Sequence, residues 1–260
     1  MRVVEAENLI KTFPGGGVGL KGLSLQIQKG ERVGIMGRSG AGKTTLLRLI
    51  NGSIVPTSGS LKVLGRAMGQ IQPGQLRELR SKLAVVQQNH NVVPGMTVFR
   101  NTLMGRLGHC SFPGALRMML YPTGKEMGRV LEILSELEIE DKMHQRCQEL
   151  SGGQQQRVAV ARALFGKPEM ILADEPVASV DARTARVVLN RFLRLNQEKG
   201  VTVIVSLHQP DFAIDFCTRV LVMDGGQLVY DGEPRGAIEI SLKHIPFQGT
   251  GGVFREIAQL

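Results

Sequence analysis

Residues 37–45, Gly-Arg-Ser-Gly-Ala-Gly-Lys-Thr-Thr, combine glycines, a lysine and hydroxyl groups at a spacing suited to holding a chain of phosphates. They fit the pattern G-x-x-x-x-G-K-[ST] and lie between an apolar strand and an apolar helix, which is the context that gives the pattern its meaning. Glycines allow backbone N–H groups to curl around phosphate oxygens, and the helix N-terminus adds positive potential. The stretch therefore predicts a nucleotide-binding loop, with a chance match to a glycine-rich turn as the alternative.

Three side chains of this loop have separate predicted roles. Lys43 neutralises the β and γ phosphates, Thr44 ligates Mg²⁺, and Thr45 donates to the α phosphate. The predicted nucleotide-binding residues of the loop are Gly37, Arg38, Ser39, Gly40, Ala41, Gly42, Lys43, Thr44 and Thr45.

Two acids follow a second apolar run. Met170–Ala173 has the composition of a buried parallel strand, and it ends at Asp174 and Glu175. Asp174 is predicted to hold Mg²⁺ through water, and Glu175 to polarise the water that attacks the γ phosphate. A strand that ends in a solvated acidic turn is the alternative. The phosphate-binding loop elsewhere in the chain favours the catalytic interpretation.

A third apolar run, residues 201–210, contains His208 near its end. The repeated order of strand, polar end and helix predicts that His208 lies at the same sheet edge as Lys43 and Glu175, where open α/β sheets bind ligands. We therefore expect His208 to contact the γ phosphate. An ordinary surface or core histidine is the alternative.

The segment Ser151-Gly152-Gly153 lies directly before a predicted helix over residues 154–164. Glycines in that place leave an exposed helix N-terminus with bare backbone donors, which predicts a second anion site. Because the chain already has its own phosphate loop, this second site is expected to serve the nucleotide of another chain.

The sequence "LSGGQQQR" at residues 150–157, followed by "MILADEP", resembles the signature motif of ATP-binding cassette (ABC) transporter ATPases. The resemblance implies a head-to-tail homodimer in which each ATP lies between one subunit's phosphate loop and the signature of the other. It extends the predicted nucleotide site by the signature residues Ser151, Gly152, Gly153 and Gln154.

The resemblance also assigns three further residues. Phe13 is expected to stack on adenine, although a simple core phenylalanine is the alternative. Asp181 closes the "SVD" loop beside the nucleotide. Gln88 is predicted as the loop glutamine that contacts Mg²⁺ and relays the presence of the nucleotide, with Gln87 as the alternative.

The elements that position these residues are expected to form an α/β fold of the P-loop NTPase (RecA-like) type. It has a parallel sheet core, an N-terminal antiparallel β layer and an inserted α-helical subdomain. The expected boundaries are about 1–88 and 157–233 for the core, about 89–156 for the helical subdomain, and about 234–260 for a C-terminal tail.

Composition limits the classes of function. Hydrophobic residues make up 42% of the chain and charged residues 21%, which is typical of a folded, soluble protein. There is no apolar run of about 18 residues and no apolar secretion signal, so the chain is expected to stay in the cytosol and not to span a membrane. The resemblance implies that it is a peripheral subunit at the cytoplasmic face of the inner membrane. The three cysteines form no CxxC pair and are expected to be reduced, buried or idle.

A formal charge of +9 favours an anionic partner. Nucleic acid is not expected, because aromatic residues are only 4% of the chain and tryptophan is absent. The segment 89–130 has five basic residues and one acid, and the helical arm holds six of the 11 methionines. As a group, and given the family resemblance, they favour docking onto membrane permease subunits, with methionines that fill core gaps and charges on a solvated face as the alternative.

Three stretches of this sequence resemble the ATPases of phosphonate and related oxyanion importers. They are "SGAGKTTLLRLINGSIVPTSG", "RNTLMGRLGH" and "SLHQPDFAIDFCTRVLVMDGGQLVYDG". The resemblance implies ATP and Mg²⁺ as cofactors, and a solute-binding protein as an indirect partner. Alternatives are an exporter ATPase, another importer, or a soluble ABC protein that acts on nucleic acid or ribosomes, and a nonenzymatic binding module is the weakest of the options.

Overall fold

A computed structural model describes residues 1–87, 91–178 and 180–244 of the 260-residue chain, with the backbone alone for 241–244. Within these ranges the strands are β1 (Arg2–Thr12), β2 (Val18–Gln28), β3 (Arg32–Gly37), β4 (Ser58–Val63), β5 (Arg66–Ala67), β6 (Leu83–Val86), β7 (Met170–Ala173), β8 (Thr202–Ser206), β9 (Arg219–Asp224) and β10 (Gln227–Gly232). The α-helices are α1 (Lys43–Ile50), α2 (Pro73–Ser81), α3 (Val98–Leu103), α4 (Phe112–Leu120), α5 (Gly124–Glu136), α6 (Gly152–Phe165), α7 (Ala182–Lys199), α8 (Pro210–Phe216) and α9 (Pro234–His244).

The first strands form an antiparallel layer in the order β2-β1-β4-β5. In β2, Leu23, Leu25 and Ile27 are buried while Ser24 and Gln26 between them are exposed. This alternation places one face of the layer on the core and leaves the other in solvent. The predicted N-terminal antiparallel layer is therefore confirmed.

The second sheet has the strand order β10-β9-β3-β8-β7-β6, and all its neighbours are parallel except the pair β9 and β10. Both of its faces are covered. In β7, Met170 and Leu172 join the hydrophobic cluster of α1 and the antiparallel layer, whereas Ile171 and Ala173 join the cluster on the opposite face. Burial on both faces explains why the strand is a continuous apolar run.

Strand β8 lies between β3, which leads into the phosphate loop, and β7, which leads into the two acids. Because the three strands are parallel, their carboxyl ends meet at one edge of the sheet. That edge is where the predicted site residues come together.

Helices α3 to α6 lie between β6 and β7, and α6 packs against α3 and α5. The predicted boundary at residues 156 and 157 falls inside α6, which continues to Phe165. Close packing occurs at Gly105, where a Cβ atom would lie 1.7 Å from the carbonyl oxygen of Arg162 in α6. The short 3₁₀ helix that contains Gly105 is therefore pressed against α6.

The three cysteines are free thiols. Cys147 and Cys217 are buried, and burial raises the pKa of Cys147 to about 11 and that of Cys217 to about 12. Cys110 is partly exposed. The expected burial is confirmed for Cys147 and Cys217.

Of the predicted tail, residues 234–244 form α9, which packs beside β9 and β10. Residues 245–260 lie outside the described part of the chain. Among the described residues, no helix combines the length and the apolar character that a membrane crossing needs.

Candidate nucleotide-hydrolysis site

The phosphate loop takes a backbone path that requires glycine at several positions. Gly37, Gly40 and Gly42 have φ angles of 152°, 80° and 103°. A Cβ on Gly37 would lie 2.3 Å from the carbonyl oxygen of Met223, and one on Gly42 would lie 2.5 Å from that of Gly19. The loop is thus enclosed by β9 and the start of β2, and side chains at Gly37 and Gly42 would disrupt it.

Helix α1 begins at Lys43, which directly precedes Thr44 and Thr45. No side chain caps its first turn, and no acid lies in that turn, so the positive end of the helix faces the loop. Lys43 is 5% exposed, and its Nζ donates to the carbonyl oxygens of Gly37 at 2.8 Å and Arg38 at 3.1 Å. Burial lowers the pKa of Lys43, while Glu175 and Asp174 act in the opposite direction. A partly desolvated cation at an uncapped helix N-terminus suits an anionic ligand such as a phosphate.

The two acids after β7 are held by one hydroxyl from β8. Ser206 Oγ donates to Asp174 Oδ1 at 2.9 Å and accepts from the backbone N–H of Glu175 at 2.7 Å. Ser206 is completely buried, and the backbone N–H of Asp174 donates to the carbonyl of Val86 at 2.8 Å. Ser206 is a site residue that the sequence analysis did not predict. The only feature of the sequence that could have indicated it is a hydroxyl residue at the end of an apolar strand.

Thr44 and Asp174 line one cavity of about 130 Å³, together with Gln87. A hydroxyl and a carboxylate are hard oxygen ligands of the kind that Mg²⁺ prefers when it keeps several waters. Among the described residues there is no cluster of three or more His, Cys, Asp or Glu side chains that would suit a different metal. The donor set therefore fits Mg²⁺ bound together with a phosphate ligand.

Glu175 and His208 are brought into contact, with His208 Nε2 at 2.5 Å from Glu175 Oε1. Glu175 has a φ angle of 50°, which is unusual for a residue other than glycine and is typical of functional sites. The Glu175 side chain is 17% exposed and that of His208 is 43% exposed. The carboxylate therefore lies at the rim of the site, oriented by the imidazole.

The start of α6 differs from the expectation of bare donors. Ser151 caps the helix: its Oγ accepts from the N–H of Gln154 at 3.4 Å, and Gln154 Oε1 accepts from the N–H of Ser151 at 3.0 Å. One first-turn donor, the N–H of Gln154, is therefore already satisfied by Ser151, and the nucleotide-binding role of Gln154 stays a prediction. At the start of the helix, Gly152 is exposed and Gly153 is half-buried.

Asp181 caps α7, since its carboxylate accepts from the N–H of Thr184 at 2.9 Å and from the hydroxyl of the same residue at 2.8 Å. These hydrogen bonds, the backbone one first, lower the pKa of Asp181. Its nucleotide-binding role stays a prediction. Ser179, in the same loop, lies outside the described residues.

Phe13 lies beside the phosphate loop. A Cβ on Gly19 would meet Phe13 Cε2 at 2.8 Å and Thr45 Cγ2 at 2.9 Å, so both side chains border the same small space. The ring is 38% exposed, and Lys11 Nζ lies 5.4 Å from its centroid. An exposed ring next to Thr45 is compatible with the predicted stacking role.

The predicted loop glutamine, Gln88, lies outside the described residues. Gln87, the alternative, lines the cavity of Thr44 and Asp174, and its Oε1 accepts from Asn91 Nδ2 at 2.9 Å. The choice between the two glutamines stays a prediction.

A protein-family model described as ABC transporter matches residues 20–178. The phosphonates import ATP-binding protein PhnC 3 of Halalkalibacterium halodurans is 40% identical over 243 residues, which cover 94% of this chain and 93% of the relative. The phosphonates import ATP-binding protein PhnC of Staphylococcus aureus is 41% identical over 233 residues, or 89% of this chain and 90% of that protein.

Solved structures with a similar fold are also ATP-binding cassettes or contain one. A dimeric ATP-binding cassette in a post-hydrolysis state, bound to ADP and Pi, matches with a TM-score of 0.78 and 32% identity over 90% of this chain and 99% of that one. A bacterial Atm1-family ABC exporter with ATP bound matches with a TM-score of 0.75 and 25% identity, over 98% of this chain and 41% of that one.

Proposed function

This chain belongs to the ABC transporter family, and from that premise we propose that it is the ATP-hydrolysing subunit that drives a phosphonate importer. The single observation that carries the ATPase activity is the meeting of Lys43, Asp174, Glu175 and His208 at one edge of the sheet. The proposal for phosphonate import depends on about 40% identity, over most of both chains, to relatives with that name.

The residues of this chain perform three tasks in ATP hydrolysis. The loop N–H groups and Lys43 bind and neutralise the phosphates. Thr44 and Asp174 hold Mg²⁺, which offsets charge on the β and γ phosphates when bound. Glu175 orients the attacking water and accepts its proton as the bond between the γ phosphorus and the ADP oxygen breaks, while His208 keeps the carboxylate in place.

A second copy completes each reaction chamber. The exposed Gly152 and the half-buried Gly153 at the start of α6 are suited to bind the γ phosphate of a nucleotide held by the partner's phosphate loop. A related cassette is dimeric with ADP and Pi bound, which supports the pairing of two chains. Two chains would then enclose two ATP molecules, and hydrolysis would release the pair.

The helical segment between β6 and β7 is the proposed docking surface for the permease. On α4, Phe112, Leu116 and Leu120 are spaced four residues apart and are all at least half exposed, so they form an apolar stripe. Such a stripe, next to a basic segment, suits a membrane subunit at the cytoplasmic face of the membrane. Gln88 is proposed to relay nucleotide binding to this surface.

An exporter is the main alternative, because the cassette fold also matches an exporter. The fold therefore does not decide the direction of transport. The names of the phosphonate import relatives favour uptake. A role on nucleic acid has no feature in the described residues to support it beyond the positive charge.

Transport is tested by co-expressing the chain with its permease and solute-binding protein in cells that lack phosphonate uptake. We expect ATP-dependent accumulation of a radiolabelled alkylphosphonate, and its loss in the Glu175→Gln variant. Accumulation that is equal in both strains, or efflux of preloaded phosphonate, would overturn the import proposal.

The shared chamber is tested by mixing two inactive variants. Lys43→Ala disables the phosphate loop, and Ser151→Asp keeps a good helix cap but places a negative charge beside the γ phosphate. Random pairing of the two gives about a quarter of the wild-type number of complete chambers, so hydrolysis should return on mixing. A mixture of Lys43→Ala with Thr44→Ala, which damages both phosphate loops, should stay inactive. No recovery in the first mixture would contradict the composite chamber.

A further inference from the structure

Gln156 links the signature helix to the loop that carries the catalytic acid. It is 1% exposed, and its Nε2 donates to the carbonyl oxygen of Pro176 at 2.7 Å. The bond joins residues 20 positions apart in the chain, and it is buried. A buried amide bonded to backbone is a fixed contact, since losing one partner leaves a desolvated polar group.

Pro176 directly follows Glu175, so this contact acts on the acid's own backbone. Proline has no N–H group, and its carbonyl is therefore the only backbone group at that position that can be anchored by a hydrogen bond. On the other side, the N–H of Glu175 is held by Ser206 Oγ at 2.7 Å. The Glu175-Pro176 unit is thus fixed from β8 at one end and from α6 at the other.

This restraint matters because Glu175 has an unfavourable backbone conformation. Its φ angle of 50° is one that a residue with a side chain adopts only when its surroundings hold it there. The carboxylate position that His208 contacts depends on that conformation. Releasing Pro176 would let the backbone relax and move the carboxylate away from the water that it orients.

The neighbouring glutamines do not make this contact. Gln154 forms the reciprocal cap with Ser151, and Gln155 Nε2 donates to the carbonyls of Cys147 and Leu150, both at 3.1 Å. Successive residues of a helix point about 100° apart, which explains why only one of the three reaches Pro176. Because Gln155 holds the loop directly before Ser151, the neutral control for Gln156 is Gln197, an exposed glutamine of α7 outside the signature.

We propose that Gln156 is a positioning residue for ATP hydrolysis, which holds Glu175 in its catalytic conformation from the signature helix. The inference rests on the proposed ATPase function. In the composite dimer, the signature serves the partner's nucleotide whereas Glu175 serves the chain's own. Gln156 then connects the two chambers. When α6 shifts on contact with the partner's nucleotide, the hydrogen bond from Gln156 to the Pro176 carbonyl transmits the movement to Glu175.

The first test compares Gln156→Met with Gln197→Met in steady-state hydrolysis. Methionine keeps the length of the side chain and removes the donor. Losing one buried hydrogen bond that orients Glu175 should lower kcat about tenfold for Gln156→Met with little change in KM for ATP. Gln197→Met should keep a kcat within about twofold of wild type, because Gln197 is exposed and lies outside the signature. Equal kcat values for the two variants, or an effect on KM alone, would overturn the proposal.

Wild-type hydrolysis is measured first, so that a failure of the proposed function is seen separately from a failure of the Gln156 role. Nucleotide binding and the thermal midpoint of Gln156→Met are measured on the same sample. If methionine prevents folding, Gln156→Asn keeps the amide but is one methylene too short to reach Pro176, and it should give the same loss of kcat. A wild-type kcat in Gln156→Asn would overturn the proposal.

A double variant tests whether the effect passes through Glu175. In a Glu175→Gln background the carboxylate is already lost, so adding Gln156→Met should change the residual rate by less than about twofold. A further tenfold fall would indicate a role independent of Glu175 and would contradict the inference.

The mixed dimer separates the two ends of the contact. In the mixture of Lys43→Ala and Ser151→Asp chains, the complete chamber uses Glu175 of the Ser151→Asp chain and the signature of the Lys43→Ala chain. Gln156→Met should therefore lower the recovered rate about tenfold when placed in the Ser151→Asp chain, and leave it unchanged in the Lys43→Ala chain. The reverse pattern, or equal losses, would show that Gln156 shapes the signature instead.

Discussion

His208 Nε2 lies 2.5 Å from Oε1 of Glu175, so the two side chains that follow neighbouring strands β8 and β7 are already in contact within one chain. The imidazole is the more exposed of the two, and the carboxylate is mostly covered. This arrangement leaves one carboxylate oxygen for a water molecule while the other is held. This contact is the geometry expected of an oriented base, and it agrees with the proposal that Glu175 activates water while His208 supports it.

Replacing Glu175 with glutamine should stop hydrolysis without weakening ATP binding. The amide keeps the size of the side chain and loses the ability to accept a proton, so kcat should fall by about a hundredfold to ten-thousandfold. Phosphate release measures the rate, and a fluorescent nucleotide measures binding. Glu140→Gln, which removes an exposed carboxylate from the helical segment, is the control and should retain the wild-type rate. A wild-type rate in Glu175→Gln would remove the residue from the mechanism.

Ser206→Ala should impair catalysis at the metal rather than fold stability alone. It removes the hydroxyl that donates to Asp174 and accepts from the N–H of Glu175. The Mg²⁺ concentration for half-maximal hydrolysis should rise about fivefold, which corresponds to the loss of one hydrogen bond of about 1 kcal/mol. Titration of Mg²⁺ at saturating ATP measures this.

Thr202 provides the control at the opposite end of β8. Its buried hydroxyl accepts from the N–H of Gly30 at 2.9 Å, away from the acids. Thr202→Val should lower the free energy of unfolding by about 1–2 kcal/mol and leave the Mg²⁺ dependence unchanged. If the two variants gave the same Mg²⁺ titration, the hydroxyl of Ser206 would have no special role at the site.

The sequence predicted the structure correctly where a single local pattern determines it. Met170–Ala173 was predicted as a buried strand, and it is β7 with the same bounds, because burial on both faces leaves only apolar side chains. The clustering of the loop, the acids and His208 followed from the rule that parallel strands end at the same edge. These predictions needed no knowledge of distant contacts.

The contacts that the sequence could not predict join distant parts of the chain. Ser206 meets Asp174 across 32 positions, and Gln156 meets Pro176 across 20, so neither has a local pattern. The cap at the start of α6 is different, since Ser151-x-x-Gln154 is a recognisable capping box and could have been found. Glycines there were interpreted as exposing all donors, which overlooked the serine.

Gly105→Ala should destabilise the packing of the helical segment on α6. A Cβ at this position would lie 1.7 Å from the carbonyl oxygen of Arg162, so the backbone has to move apart. Such overpacking lowers the free energy of unfolding by about 1–3 kcal/mol. Urea denaturation followed by circular dichroism measures the change.

Gly108 in the same 3₁₀ helix is the control for this effect. A Cβ there would lie 3.7 Å from Ser81 Cβ, which is an ordinary contact distance. Gly108→Ala should change the free energy of unfolding by no more than about 0.5 kcal/mol. Equal changes in the free energy of unfolding for the two substitutions would mean that the close contact at Gly105 does not cause the loss of stability.

The ion pair between α4 and α5 should make stability depend on pH in the acid range. Arg117 donates to both oxygens of Glu126, at 2.6 and 2.8 Å, and the N–H of Thr123 donates at 2.7 Å. The Arg117 hydrogen bonds, followed by those of Thr123, lower the pKa of Glu126 from its ordinary value of 4.5 to about 2. Because the pKa is lower in the folded state, the stabilisation is complete above pH 4.5 and is lost as the pH falls through about 2.

Glu126→Gln should therefore be less stable than wild type at pH 7, by about 1 kcal/mol after allowance for solvent screening, and the difference should vanish towards pH 2. Denaturant titrations of both proteins at a series of pH values give that difference directly, and effects of other groups cancel in the subtraction. In an Arg117→Met background the same substitution should show a much weaker dependence on pH, because the main cause of the lowered pKa is gone. A difference that stays constant from pH 7 to pH 3 would mean that Glu126 supports α5 through its shape rather than through its charge.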